Sequence, residues 1–318
     1  MIRKSQLFLA VAALVGMNAA MAACNTTQWG QGGVTAVVGT PIADGPVASD
    51  ANAAQTPRYS GKCGLASAAA GSYVQDGSPL TEAAYISRFY VKPNNTGEAV
   101  VFQAMADETA DYAIFQITFD AAANAFKFYG SNGAGGFGTP VSITTANGGA
   151  IVANRWYMIE TNFQRGAGTN GGTLAVSLIG NRGNANYTLT TPSTTTLTAG
   201  NIVLADAGDG VDYVRFGWVS GGAGTGVTVD AFESRRSTAI GSLRRGDASN
   251  NGTCTSGDVT QLLQEVNAIA GNSEPGLKLG QTDCSENGSV TSGDATCLLN
   301  LVNADTASGG TRACGMPL

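Results

Sequence analysis

YAIFQITF, Tyr112 to Phe119, is the stretch whose reading decides the fold class. Phe115, Ile117 and Phe119 alternate with Gln116 and Thr118, the two-residue period of a strand with one buried face. The next residues, Asp120-Ala121-Ala122-Ala123-Asn124-Ala125, form a short link to Phe126-Lys127-Phe128-Tyr129, so the two runs predict a β-hairpin. Working outward, Tyr85–Val91, Val100–Gln103, Trp156–Phe163, Thr173–Ile179 and Tyr187–Thr190 are further short β-rich runs separated by Gly-rich turns. Many short antiparallel strands between about Cys24 and Ile240, with no helical pattern among them, predict a mainly β chain built as an antiparallel β-sandwich or jelly roll.

Composition narrows the chemistry. The chain has 318 residues, 44 Gly, 13% charged residues and no His. Ordinary domains are about 25% charged and about 7% Gly, so Gly and small polar side chains must cover much of this surface. Without His there is no Ser-His-Asp triad, no Cys-His dyad and no imidazole zinc site. A bound metal would have to accept oxygen ligands. The net charge of −6 gives nothing to funnel a nucleic-acid backbone.

Residues 1–22 are expected to be a secretory signal peptide: Arg3 and Lys4 precede the apolar run Leu7–Val15, and Ala20-Met21-Ala22 supplies an A-x-A end. Losing that segment takes 17 basic side chains to 15 against 23 acidic ones, a net charge of −8. No later apolar run approaches the roughly 20 residues that span a bilayer. Export would place the six cysteines in an oxidising compartment, where an even number reads as disulfides. Cys24 and Cys63 would close an early loop worth about 4 kcal/mol in the chain-entropy model. Cys254, Cys284, Cys297 and Cys314 allow three pairings; the presence of Cys284 and Cys297 within one repeat favours joining them, which leaves Cys254 with Cys314.

YSGKCGL (Tyr59–Leu65), SPLTEAAYISRFYV (Ser78–Val91), RWYMIE (Arg155–Glu160) and VDAFESRR (Val229–Arg236) together resemble the laminin-G-like or concanavalin-like jelly roll of secreted bacterial proteins. The resemblance implies a sandwich over residues 24–241 with Trp156 and Phe232 as core anchors. It argues fold far better than function.

STAIGSLRRG (Ser237–Gly246) has lost the strand pattern and marks a domain boundary. Residues 242–318 contain an internal repeat: DASNNGTCTSGDVTQLLQEV from Asp247 and DCSENGSVTSGDATCLLNLV from Asp283 match at 12 of 20 positions with an offset of 36 residues. Each copy opens with a 12-residue loop carrying oxygen groups at positions 1, 3, 5, 9 and 12 and Gly at position 6. In the first loop these are Asp247, Ser249, Asn251, Thr255 and Asp258 around Gly252, and in the second Asp283, Ser285, Asn287, Thr291 and Asp294 around Gly288. Alternate side chains in a tightly curled loop converge on one point, and position 7, here Thr253 and Ser289, offers its backbone carbonyl to a calcium ion. After the loops, Leu262, Leu263 and Val266, and Leu298, Leu299 and Val302, recur at helical spacing, so the two helices are expected to pack on each other.

Two loop-plus-helix copies with Asp at position 12 resemble a type I dockerin module. That resemblance implies two calcium ions and docking to a cohesin-like partner through Ser256, Gly257, Ser292 and Gly293 together with the helices that follow. The sequence departs from the pattern where Leu263-Gln264 and Leu299-Asn300 replace a basic pair, and in its four cysteines. With two formal carboxylates per loop, the affinity expected is near the roughly 10⁻⁴ M of extracellular modules.

The expected function is a secreted, non-catalytic protein whose sandwich binds a glycan or another surface ligand while the repeat module binds calcium and docks. Trp29 or Trp218 are candidates to stack on a sugar ring, and Asp206, Asp209 and Asp212 in LADAGDGVDYV for a further calcium ion, with core packing and a plain acidic loop as the competing readings. The alternatives are a passive structural surface or matrix protein and a polysaccharide hydrolase. Hydrolases of this fold pair two carboxylates on one strand face, and the nearest pairs here, Glu108 with Asp111 and Asp230 with Glu233, lack the alternate spacing that points both the same way.

Overall fold

A computed structural model describes residues 37–38, 40–42, 64–77, 79–106, 111–133, 135–146, 149–180, 193–197, 202–243, 246–249, 254–267, 282, 284 and 291–307. The strands are β1 (Val37–Val38), β2 (Thr40–Ile42), β3 (Gly64–Ser67), β4 (Ser72–Asp76), β5 (Ala84–Ala106), β6 (Tyr112–Asp120), β7 (Ala125–Gly130), β8 (Val141–Ile143), β9 (Thr145–Ala146), β10 (Gly149–Ala150), β11 (Tyr157–Gln164), β12 (Thr173–Gly180), β13 (Ser193–Leu197) and β14 (Tyr213–Arg235). Two helices follow, α1 (Ser256–Asn267) and α2 (Ser292–Ala307). The expected signal peptide, Tyr187–Thr190 and Cys24, Cys63 and Cys314 lie outside the described residues.

The sandwich is built on two strands that fold over. Phe89 and Phe102 stand 13 residues apart in β5, which would separate them by about 43 Å along a straight strand. Their rings instead stack with centroids 4.9 Å apart. In β14, Phe216 and Phe232 likewise stack at 4.8 Å. Both strands therefore double back across the core, paired with each other along their length. The first half of β5 and second half of β14 carry one sheet, in the order β2-β3-β14-β5-β11-β12-β13; the other halves carry the second, β1-β4-β14-β5-β6-β7-β8, and every pairing in both is antiparallel.

The bends coincide in Pro93-Asn94-Asn95-Thr96-Gly97 and Ser220-Gly221-Gly222-Ala223-Gly224-Thr225-Gly226. Glycine is required there. Gly224 has φ +119°, and a Cβ on it would fall 2.8 Å from Asn95 Cα. The runs Tyr85–Val91 and Val100–Gln103, which read as separate strands, are thus one strand with a corner.

The hairpin of β6 and β7 forms as expected, with Phe119 opposite Phe126 and the Asp120 carboxylate accepting from the Ala122 and Ala123 amides to close the turn. Phe115, Ile117, Phe119, Phe126 and Phe128 all point into one core between the sheets. Trp156 is fully buried, beneath the outer face of the first sheet with Tyr90, Met158 and Leu243. Phe232 is partly buried against the main core.

Candidate functional site

The repeat module begins at the loop ends. Thr255 and Thr291 precede α1 and α2, and each forms the same reciprocal cap with an Asp three residues on. The Asp258 Oδ2 accepts from the Thr255 amide at 2.7 Å and its hydroxyl at 3.0 Å; the Asp294 Oδ2 accepts from the Thr291 amide at 2.8 Å and its hydroxyl at 2.9 Å. In return, the Gly257 and Gly293 amides each donate to the threonine hydroxyl at 3.2 Å.

In the first loop this cap joins the earlier positions. The Ser249 amide donates to Asp258 Oδ1 at 2.9 Å, and the Ser249 hydroxyl lies 3.4 Å from Asp247 Oδ1. Positions 1, 3, 9 and 12 are therefore gathered together. Asp247, Asp258 and Asp294 are all buried, at 1% or less relative exposure. The donors just named to Asp258 are neutral amides and a hydroxyl, which leave its negative charge in a desolvated place. The carboxylate oxygens of Asp247 and Asp258 and the hydroxyls of Ser249 and Thr255 are of the hard kind that a calcium ion takes as ligands. Asn251, Thr253, Asp283, Ser285, Asn287 and Ser289 lie outside the described residues.

Ala248, Val259, Leu262, Cys284, Ala295 and Leu298 form the core beneath both helices. The helices pack on each other as expected, but Leu263 and Leu299 do not belong to that stripe. One residue past Leu262 and Leu298 is a turn of about 100° on a helix, and both side chains are exposed, at 40% and 44%. Ser256, Gly257, Ser292 and Gly293 are exposed on the same helix starts. Cys284 and Cys297 form a disulfide and Cys254 is also disulfide-bonded.

The outer faces of the sandwich differ. On the first sheet, Glu233, Arg88 and Glu160 stand side by side across β14, β5 and β11. Arg88 bridges to Glu233 at 2.9 Å, and Arg235 reaches the same carboxylate at 2.9 Å. The chain leaving β14 lies over this row: Glu160 accepts from the Ile240 and Gly241 amides, the Leu243 amide donates to the Tyr90 hydroxyl, and Leu243 is buried against Tyr90, Trp156 and Met158.

The second sheet presents Gln75, Arg215, Gln103, Gln116 and Tyr129 as directly opposed neighbours across β4, β14, β5, β6 and β7. Arg215 lies over the Tyr73 and Tyr213 rings, donates to Gln75 at 3.0 Å and bridges to Asp111 at 3.0 Å. Gln103 donates to Gln116 at 3.1 Å. Beside Tyr129, Lys127 bridges Glu98 at 2.8 Å and Asp120 at 2.7 Å, and Glu98 also accepts from Tyr129 and Thr118. Burial raises the Glu98 carboxyl, but the bonds from Lys127, Tyr129 and Thr118 outweigh it and hold the group below its usual range. Burial, with the bond to Glu98, pushes the Tyr129 phenol up to about 12.

Several sequence expectations change. Trp218 is buried at 2% exposure, its indole donating to the Gly221 carbonyl, so it cannot stack on a sugar; Trp29 lies outside the described residues. Asp206, Asp209 and Asp212 are not one metal cluster. Asp209 accepts from Tyr112 and the Asp206 amide, whereas Asp212 accepts from the Thr81 amide and hydroxyl. Glu108 lies outside the described residues, and Asp111 is engaged by Tyr213 and Arg215. The Asp230–Glu233 spacing misled for a physical reason. A bulge centred on Ala231, φ +49°, sets Asp230 opposite Tyr90 and Glu233 opposite Arg88, so both acids do share a face.

Neither a family model nor a curated protein matches the chain. Among solved structures it is similar to the binding domain of botulinum neurotoxin serotype G, with TM-score 0.40, 8% identity, 66% of this chain and 44% of that one. It is also similar to an endo-β-1,4-glucuronan lyase from the fungus Trichoderma reesei, with TM-score 0.39, 11% identity, and 57% and 85% of the two chains. Domains LG4-5 of the mouse laminin α1 chain give TM-score 0.32, 11% identity, and 54% and 42% coverage. The chain thus spans under half the length of the toxin domain. Its sandwich assignment rests on the strand pairing.

Proposed function

We propose that this is an exported, non-catalytic two-part protein: a β-sandwich that binds a glycan or another surface ligand, and a C-terminal calcium-binding pair of repeats that docks to a cohesin-like partner. The observation that carries the reading is the buried Asp258 and Asp294 held in identical threonine caps at the ends of two loops 36 residues apart in register. Two calcium ions are assigned, one to Asp247, Ser249, Asn251, Thr253, Thr255 and Asp258, the other to Asp283, Ser285, Asn287, Ser289, Thr291 and Asp294. The exposed Ser256, Gly257 and Leu263, with Ser292, Gly293 and Leu299, supply a docking surface related by the repeat.

A non-catalytic sandwich is favoured over a hydrolase because the carboxylates that share a face are already committed. Glu233 is held by two arginines beneath the Ile240–Leu243 segment, and Asp230 accepts from the Ala231 amide. Calcium titration of the full chain tests the reading: helicity and the melting temperature of the repeat module are expected to rise and a chelator to reverse both. A titration that changes neither contradicts it. A pull-down of surface proteins with and without chelator then separates docking from a passive structural role.

A further inference from the structure

We propose that the outer face of the second sheet is the glycan site of the sandwich and that its ligand is a neutral oligosaccharide lying along the partly exposed row Arg215–Gln103–Gln116–Tyr129, with Gln75 buried beneath Arg215. The proposal rests on the glycan-binding reading above and names where and what. The neighbours of each of these residues in sequence, among them Val74, Phe102, Ala104, Phe115, Ile117, Phe128, Val214 and Phe216, point into the core, so strand alternation fixes the row on the outside. Four strands abreast carry it across about 14 Å, the length of a short oligosaccharide.

The chemistry suits hydroxyl groups. A sugar hydroxyl both donates and accepts, and a carboxamide does the same through two donors and two lone pairs. The single Gln103–Gln116 bond leaves most of that capacity available at the centre of the row. The guanidinium of Arg215 is fixed by its two tyrosine rings, by Gln75 and by Asp111, and so is preorganised rather than loose. The partly exposed Tyr73 and the Tyr129–Phe137 edge-to-face pair supply apolar surface at the two ends.

Charge selects a neutral ligand. The row and its rim hold the cations Arg215 and Lys127 against the carboxylates of Asp111, Glu98 and Asp120, each cation already paired. A polyanionic glycan would meet an excess of negative charge on a chain of net charge −6. On the opposite face the chain's own Ile240–Leu243 segment covers Glu160, Tyr90, Trp156 and Met158.

The test uses the full chain in millimolar calcium and measures binding to neutral cello-, xylo-, manno- and malto-oligosaccharides beside alginate and polygalacturonate oligosaccharides. The chain is expected to bind at least one neutral series, and the double variant Gln103→Ala, Gln116→Ala to lose about tenfold in affinity or more. Gln116→Glu, which preserves the side-chain shape, is expected to weaken binding too, while Gln164→Ala on the first sheet leaves it unchanged. Melting temperatures of all variants check that the sandwich is intact. Neutral binding that survives the double variant and Gln116→Glu overturns the site while leaving a glycan-binding sandwich standing. Row-dependent binding of the polyuronates alone overturns the ligand class. Failure of the wild-type chain to bind any glycan overturns both the site and the glycan-binding reading.

Discussion

The sandwich and the repeat module solve the same problem with very different means. Among the described residues, 33 buried apolar side chains form the sandwich core, whereas six form the core under α1 and α2. A core of the first size can hold a fold by burial alone. One of the second size belongs to the range in which cross-links or metal ions are usually needed. The module has a disulfide between Cys284 and Cys297, and it buries Asp247, Asp258 and Asp294, the acids to which the calcium proposal assigns the ions. The difference extends to the acids: among the described residues the most deeply buried carboxylates, Asp247, Asp258 and Asp294, all belong to the module. In the sandwich Glu233, Glu98 and Asp111 are matched by arginine or lysine, while Asp212 and Glu160, both less deeply buried, accept from neutral groups. In the first loop the donors gathered at Asp258 are neutral.

Four perturbations sharpen this contrast. Phe102→Ala, removing a ring stacked between Phe89 and Phe115, is expected to destabilise the sandwich by about 3–5 kcal/mol while leaving the calcium response of the module intact, read by chemical denaturation. Replacing Cys284 and Cys297 together by serine opens a loop of 13 residues' separation and is expected to cost the module about 3 kcal/mol, with no change in the sandwich transition. Asp258→Ala removes its half of the reciprocal cap of α1, a loss of about 1 kcal/mol without calcium. With calcium present the loss is expected to be larger, since the ion's contribution disappears as well; equal losses in both conditions would assign Asp258 to capping alone.

The smallest effect concerns pH. Asp120 is held below its usual range by the bond from Lys127 and by the Ala123 and Ala122 amides, and Glu98 lies low for the reasons given above. A carboxylate whose folded value is depressed contributes stability above its ordinary value near 4 and loses it as pH falls through the folded value. The sandwich should therefore weaken modestly in acid, and Lys127→Met should flatten that dependence. An unchanged acid profile in the variant would detach this cluster from stability.

Much of this was legible in the sequence because it is local. The alternation of Phe115, Ile117 and Phe119 fixes which face of β6 is buried, and the spacing from Asp247 to Asp258 announces a loop. The pairing of Cys284 with Cys297 followed from the repeat. What escaped depends on register between distant segments. Pro93–Gly97 and Ser220–Gly226 look like loops until they are paired, when they become the common corner of β5 and β14. The polar row could not be assembled from sequence, since Gln75, Gln103, Gln116, Tyr129 and Arg215 meet only through four strand pairings. Asp230 and Glu233 come to share a face through one bulge residue, Ala231. Leu263 and Leu299 showed helical spacing yet sit on the rim, because an apolar residue beside a buried one need not share its face.

The most direct measurement is calorimetry of the full chain with calcium and with chelator. The account predicts two transitions, of which calcium raises the one belonging to the repeat module and leaves the sandwich transition where it was. A single transition, or two that calcium leaves equally unmoved, would contradict it.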